Sequence, residues 1–173
     1  NAAEAKIAGP PVTLSAVQDQ AVVMSNGIVT AAVDTNTANM LNYSFLGTQL
    51  LEVQRTAANS GHIGTYFSAN SGHNASDDPG TFWSPGNCSF HVEIQTPEMV
   101  EIVLSTSSPD FWEHEFHFVL RRGDRGLYIY VVLSHLASSP AARMDEYRMT
   151  WWPRLVSDDA SDPRGFFDRV IID

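Results

Sequence analysis

From Trp112 to Leu120 the chain places Trp112, His114, Phe116, Phe118 and Leu120 at every second position, with Glu113, Glu115, His117 and Val119 between them. Successive side chains of an extended chain point to opposite faces, so a period of two predicts a half-buried strand and speaks against a helix. Phe90-His91-Val92-Glu93-Ile94 alternates in the same way, and Met99 to Leu104 does so in part. Val12-Thr13-Leu14, Ala21 to Met24, Ile28 to Val33, Leu127 to Leu133 and Met144 to Trp152 read as further strands rich in β-formers. Phe166 to Ile171 is the last apolar segment. No stretch of ten or more residues combines a 3.6 period with caps at both ends. About nine to eleven short strands at intervals of about 8–14 residues predict an all-β, antiparallel β-sandwich.

Turn chemistry supports the same reading. Ser25-Asn26-Gly27 carries the Asn-Gly pair that tolerates the positive φ of tight hairpins, and Gly123-Asp124-Arg125-Gly126 makes a later turn. Tyr43 to Leu51 around Gly47 reads as strand, turn and strand, and Asp34 to Asn39 as a polar loop. Residues 1–11, ending in Gly9-Pro10-Pro11, read as an extended arm, and 12–173 as a single sandwich domain. Residues 57–89 look different, being rich in Gly, Ser, Asn and Asp with aromatic islands at Tyr66-Phe67 and Phe82-Trp83. They are expected to form a long functional loop, since a mere linker has little use for Trp83.

The 173 residues fit one domain, able to bury about 70% of its unfolded surface. Hydrophobic residues reach 43%, yet no apolar run nears the about 20 residues that span a bilayer, so a globular chain without a membrane span is expected. Twenty acidic against ten basic residues give a net charge of −10. That balance opposes the phosphate contacts that nucleic-acid binding requires. Lys6 is the only lysine beside nine arginines. The planar guanidinium fork suits bidentate carboxylate binding, so Arg121, Arg122 and Arg125 are candidates to hold an anionic sugar, or else a solvated turn.

Three acceptor triplets, beginning at Asn42, Asn74 and Asn87, favour a secretory route with glycosylation at those asparagines. Cys88 is the single cysteine and reads as a buried apolar thiol, or else as a link to another chain. No Gly-x-Ser-x-Gly elbow, Walker loop or dinucleotide fingerprint occurs, and no cofactor is expected. Glu113, Glu115 and His117 share one strand face, and with His91 and Glu93 on a neighbouring strand they would suit a metal. Polar residues alternating with Phe are equally what any half-exposed strand shows. Asp77-Asp78 and Asp158-Asp159 with Asp162 read as solvated acidic loops rather than as calcium ligands. Tyr66, Trp83, Trp151 and Trp152 could offer flat faces to pyranose rings, or pack between sheets.

Two stretches, Phe118-Val119-Leu120-Arg121-Arg122-Gly123-Asp124-Arg125-Gly126-Leu127-Tyr128 and Ala142-Arg143-Met144-Asp145-Glu146-Tyr147-Arg148, resemble the first domain of rhamnogalacturonan lyases of polysaccharide lyase family four. Val23 to Val29, with its Asn26-Gly27-Ile28-Val29, is similar to an early strand pair of that family. Leu46 to Leu51 is similar to the turn that follows, and Gly64-Thr65-Tyr66-Phe67 stands where the family has a Gly-Tyr segment. The resemblance implies a β-supersandwich, galactose-mutarotase-like, of which this chain is the front part. It implies β-elimination at galacturonate, with Arg121 as carboxylate clamp and Arg148 matching the family's other arginine. Arg122 from the arginine cluster and Tyr66 and Trp83 from the aromatics join them as substrate-binding candidates. Arg148 is also a candidate for a structural pair with Glu146 or Asp145. The family's lysine base and histidine acid lie later in its catalytic domain, so neither carries over to Lys6 or to any of the six histidines. The expected partners are an acidic plant-type polysaccharide and further polypeptide, or a second copy, completing the sandwich. A non-catalytic carbohydrate-binding or structural sandwich is the alternative.

Overall fold

A computed structural model describes residues 9–17, 20–54, 63–72 and 81–154. The segment Phe166 to Ile171, the acidic pairs at 77–78 and 158–159, and Asn74 lie outside the described residues. The described residues hold twelve strands and no helix. In chain order these are β1 (Thr13–Val17), β2 (Ala21–Ser25), β3 (Val29–Asp34), β4 (Met40–Phe45), β5 (Thr48–Gln49) and β6 (Thr65–Gly72). They continue as β7 (Thr81–Trp83), β8 (Ser89–Gln95), β9 (Met99–Ser107), β10 (Trp112–Arg121), β11 (Tyr128–His135) and β12 (Arg143–Trp151). The all-β, antiparallel sandwich read from the alternation is what the chain forms.

Three sheets carry the strands. One is a five-stranded meander in the order β1-β2-β3-β4-β5, the second a four-stranded meander β11-β10-β9-β8, and the third runs β12-β6-β7. Every pairing is antiparallel. One core draws on all three, with Met24, Val29 and Val33 from the first sheet, Ile102, Leu104, Phe116, Phe118 and Leu120 from the second and Phe67 from the third. The faces of the second and third sheets meet through rings, Phe67 lying 4.7 Å from Phe116. The alternation of β10 is thus spent as expected: Phe116, Phe118 and Leu120 are fully buried, while Glu113, Glu115 and Arg121 are exposed on the other face.

Local chemistry sets the turns. Leu46 and Gly47 both adopt positive φ, 49° and 79°, the requirement of a tight hairpin between β4 and β5. Asp34 caps its own loop, its Oδ1 accepting from the backbone N–H groups of Asn36 and Thr37. Beyond β12, Trp152 accepts from Glu52 N–H and donates to the Gly64 carbonyl, and Arg154 N–H donates to the Leu50 carbonyl, tying the third sheet to the end of the first.

One expectation fails here. The stretch 57–89 is not one long loop, for it contains β6, the central strand of the third sheet, and β7. The small Ser and Gly residues that helped suggest a loop instead, with Ala69, let β6 be buried along most of its length. Its polar groups are satisfied internally. Thr65 Oγ1 accepts from Met40 N–H, Ser68 Oγ accepts from Arg148, and Ser71 donates to the Asp110 carboxylate.

Candidate functional site

The two turns that carried the resemblance meet in space. Asn26, fully buried, closes the β2–β3 turn with its Oδ1, which accepts from Ile28 N–H at 3.0 Å and Val29 N–H at 2.8 Å. Its Nδ2 donates to the carbonyls of Arg121 and Asp124, each at 2.8 Å. A single carboxamide therefore fills all four of its hydrogen bonds and clasps the first sheet to the β10–β11 turn. Gly27, at φ 79°, has no room for a side chain, because a Cβ there would run into the Pro10 ring. The described arm residues 9–11 and Val12 lie on this junction: Val12 N–H donates to the Pro97 carbonyl, and Arg122 Nε donates to the Gly9 carbonyl at 2.6 Å.

Arg122 is occupied by that contact and by an ion pair with Glu98 at 2.8 Å. Arg121 differs. Its main chain is held by Asn26, while its side chain is exposed and rests over the Tyr128 ring, the guanidinium carbon 5.4 Å from the ring centroid.

Arg121 ends the outer face of the second sheet, where strand register assembles a polar and aromatic group. Glu101 sits across from Val119, which in turn faces Tyr128, and His117 lies between Val103 and Tyr130. Tyr130 donates its hydroxyl to Glu101 Oε1 at 2.6 Å, and His117 Nδ1 lies 2.9 Å from the same oxygen. The imidazole of His117 is stacked on the Tyr130 ring, centroids 4.3 Å apart and planes 11° from parallel. The Tyr130 hydrogen bond, then those of His117 with its charge and that of Arg121, hold the Glu101 carboxyl below its ordinary range against the opposing effect of burial. The same hydrogen bond to Glu101 pushes the Tyr130 phenol up to about 12.

The inner faces of the second and third sheets part at β11 and β12, which among the described residues each have a strand neighbour on one side only. Between them lies a cavity of about 520 Å³ lined by Phe67, Leu127, Ile129, Tyr130, Val131, Leu133, Tyr147, Arg148, Met149 and Trp151. This opening is mostly apolar.

The candidate binding residues do not share one groove. Arg121 lies on the outer face of the second sheet, and Arg122 at the turn beneath the arm. Tyr66 and Arg148 point from the third sheet, where Arg148 Nε donates to Ser68 and its NH1 pairs with Glu146 at 3.1 Å. Trp83 sits on β7, its ring stacked 4.3 Å from buried His114. The suggested metal cluster is not assembled, because β9 separates β8 from β10. His91 instead meets Glu93, and His117 meets Glu101. Among the described residues no three His, Cys, Asp or Glu side chains are placed to hold a metal. Asn42 is half-buried on β4, and Asn87 is exposed with its N–H donating to Asn36 Oδ1. Burial, then the charge of Asp34, pushes the Cys88 thiol up to about 11.

Glu101, Tyr128 and Tyr130 escaped sequence reading as site residues. Aromatics at alternate positions of β11 were the visible signal, but which face they shared with Glu101 depended on register. Among the described residues no helix is long and apolar enough to cross a membrane. Residues 1–160 match a family model described as the rhamnogalacturonate lyase family. No curated protein matches the sequence at a significant level.

Proposed function

The chain belongs to the rhamnogalacturonate lyase family, and from that premise we propose that it forms part of an extracellular polysaccharide lyase acting on rhamnogalacturonan. In the elimination, a base takes the C5 proton of a galacturonate. The electron pair forms the C4–C5 double bond, and the 4-O-linked sugar leaves with its oxygen. Negative charge grows on the uronate carboxylate as the C–H bond breaks, so a fixed cation there lowers the barrier. Arg121 is the residue for that role. The observation behind it is the contrast between an exposed guanidinium on a main chain clasped by Asn26 and the internal engagement of Arg122 and Arg148.

Tyr66 and the face of Trp83 turned away from His114 are proposed as further substrate contacts. Glycosylation is proposed at Asn87, the exposed acceptor among those described. The edges of β11 and β12 that no described strand covers are proposed to pair with further polypeptide or a second copy.

A second reading, a sandwich that binds carbohydrate without cleaving it, draws on the histidines among the described residues. His114 is buried, ring nitrogens of His117 and His135 are shielded from solvent, and His91 pairs with Glu93. Ultraviolet absorbance of unsaturated uronates, followed with rhamnogalacturonan as substrate and with the chain joined to the further polypeptide proposed to complete it, separates the readings. Growth of that absorbance, abolished in Arg121→Ala, supports the lyase. Binding by titration calorimetry without absorbance supports the second reading, and neither binding nor absorbance overturns both.

A further inference from the structure

The outer face of the second sheet carries an ordered change of character that the clamp at Arg121 does not explain. The Tyr130 ring is fixed at three points: by its backbone on β11, by the hydroxyl donated to Glu101, and by the parallel imidazole of His117 beneath it. One face of the ring is therefore covered, yet the residue remains 46% exposed. The other face is presented to solvent in a single orientation. Such a rigid, half-covered aromatic plane loses little entropy when an apolar surface settles on it. Tyr128 stands two positions earlier on the same face, about 7 Å away along the strand. It lies beneath the Arg121 guanidinium.

Charge divides this strip. Arg121 supplies a cation at one end, Glu101 lies in the row between, and Glu115 stands beyond His117 at the other end, its carboxylate 3.8 Å from the imidazole; Glu93, Glu101 and Glu115 all act on the Tyr130 phenol. A uronate over Tyr130 would meet three carboxylates, while a neutral sugar with an apolar face meets none of that penalty.

We infer that the outer face of β10 and β11 is a two-site glycan platform: a neutral sugar stacks on Tyr130 while the adjoining uronate reaches Arg121. The inference rests on the family reading for its substrate class, and adds to it the residue that selects a neutral unit next to the uronate. Tyr130 is a specificity-determining contact, and Glu101 and His117 are positioning residues acting through it.

The test compares alternating rhamnose–galacturonate oligosaccharides with oligogalacturonates of equal length, by calorimetric titration of the full chain. Tyr130→Ala is expected to weaken the alternating ligand about tenfold, the scale for losing an aromatic anchor, with little change for oligogalacturonate. Tyr130→Phe keeps the plane but not the hydroxyl, and is expected to lie between Tyr130→Ala and the native protein. The paired change Glu93→Gln with Glu115→Gln is expected to improve oligogalacturonate binding, because the acidic end is neutralised. Circular dichroism confirms folding for each variant. If the native chain binds the alternating ligand and all three variants match it, the platform is refuted while the family reading stands. If the native chain binds neither ligand, the family reading of this chain's substrate falls as well.

Discussion

At the scale of a single residue, His114 is the most exacting feature of the interior. Its imidazole is inserted among rings, 4.3 Å from Trp83, 5.8 Å from Tyr147 and 6.1 Å from Phe116. Neither ring nitrogen has a hydrogen-bond partner. Burial drives its pKa down to about 4. An unfolded histidine takes its proton near about 6.5, so between that pH and about 4 the unfolded chain binds a proton that the folded chain refuses. Stability is then full above about 6.5, falls with pH across that window by about 3 kcal/mol, and levels off from this source below it. Glu101 works in the same direction at lower pH, its held-down carboxyl being protonated first in the unfolded chain. His114→Phe removes the titrating group while keeping a planar ring. Urea midpoints measured across the window are expected to flatten in this variant, and a curve parallel to the native one would refute the assignment. The sequence marked His114 only as one member of an alternating face. Its neutrality follows from Trp83 and Tyr147, which arrive from β7 and β12 and which no local pattern announces.

At the scale of elements, legibility followed side-chain size. β10 showed itself because large apolar residues alternate with charge, and β3 because a turn signal precedes it. β6 hid, because Ser68, Ala69 and Ser71 are small, and their burial depends on partners far along the chain. The Asn26-Gly27 hairpin was readable from its dipeptide. The outward half of the Asn26 side chain was not, since its acceptors lie 95 and 98 residues away. The β4–β5 turn shows a local misfit of another kind. Leu46 adopts φ 49° and is 67% exposed, so it carries the left-handed strain without packing in return. Leu46→Asn is expected to raise stability by about 0.5–1 kcal/mol, since Asn tolerates that conformation. Thermal unfolding measures this, and an unchanged or lowered midpoint would show that Leu46 packs in a way its exposure conceals.

For the whole molecule, the most consequential property is the mouth between β11 and β12. Ile129, Val131 and Leu133 face Tyr147, Met149 and Trp151 across a space the described strands leave unfilled. Leu133 and Trp151, which line it, stay exposed. Apolar surface beside unpaired strand edges favours association. The chain is expected to self-associate with rising concentration in sedimentation velocity runs, and Leu133→Glu to return it toward a single small species. A native chain that stays monodisperse and monomeric throughout would contradict the proposed pairing. Connectivity adds a kinetic side. The first and second sheets are meanders whose neighbours follow directly in sequence, so each can zip up soon after its residues are made. β6 cannot. Its long partner β12 joins it through contacts such as Arg148 with Ser68, 80 residues apart, and the entire second sheet is synthesised in the interval. During translation the central strand of the third sheet thus waits with one flank bare, and that delay, more than any weakness of the finished fold, is where a ribosome-bound chain is most open to mispairing.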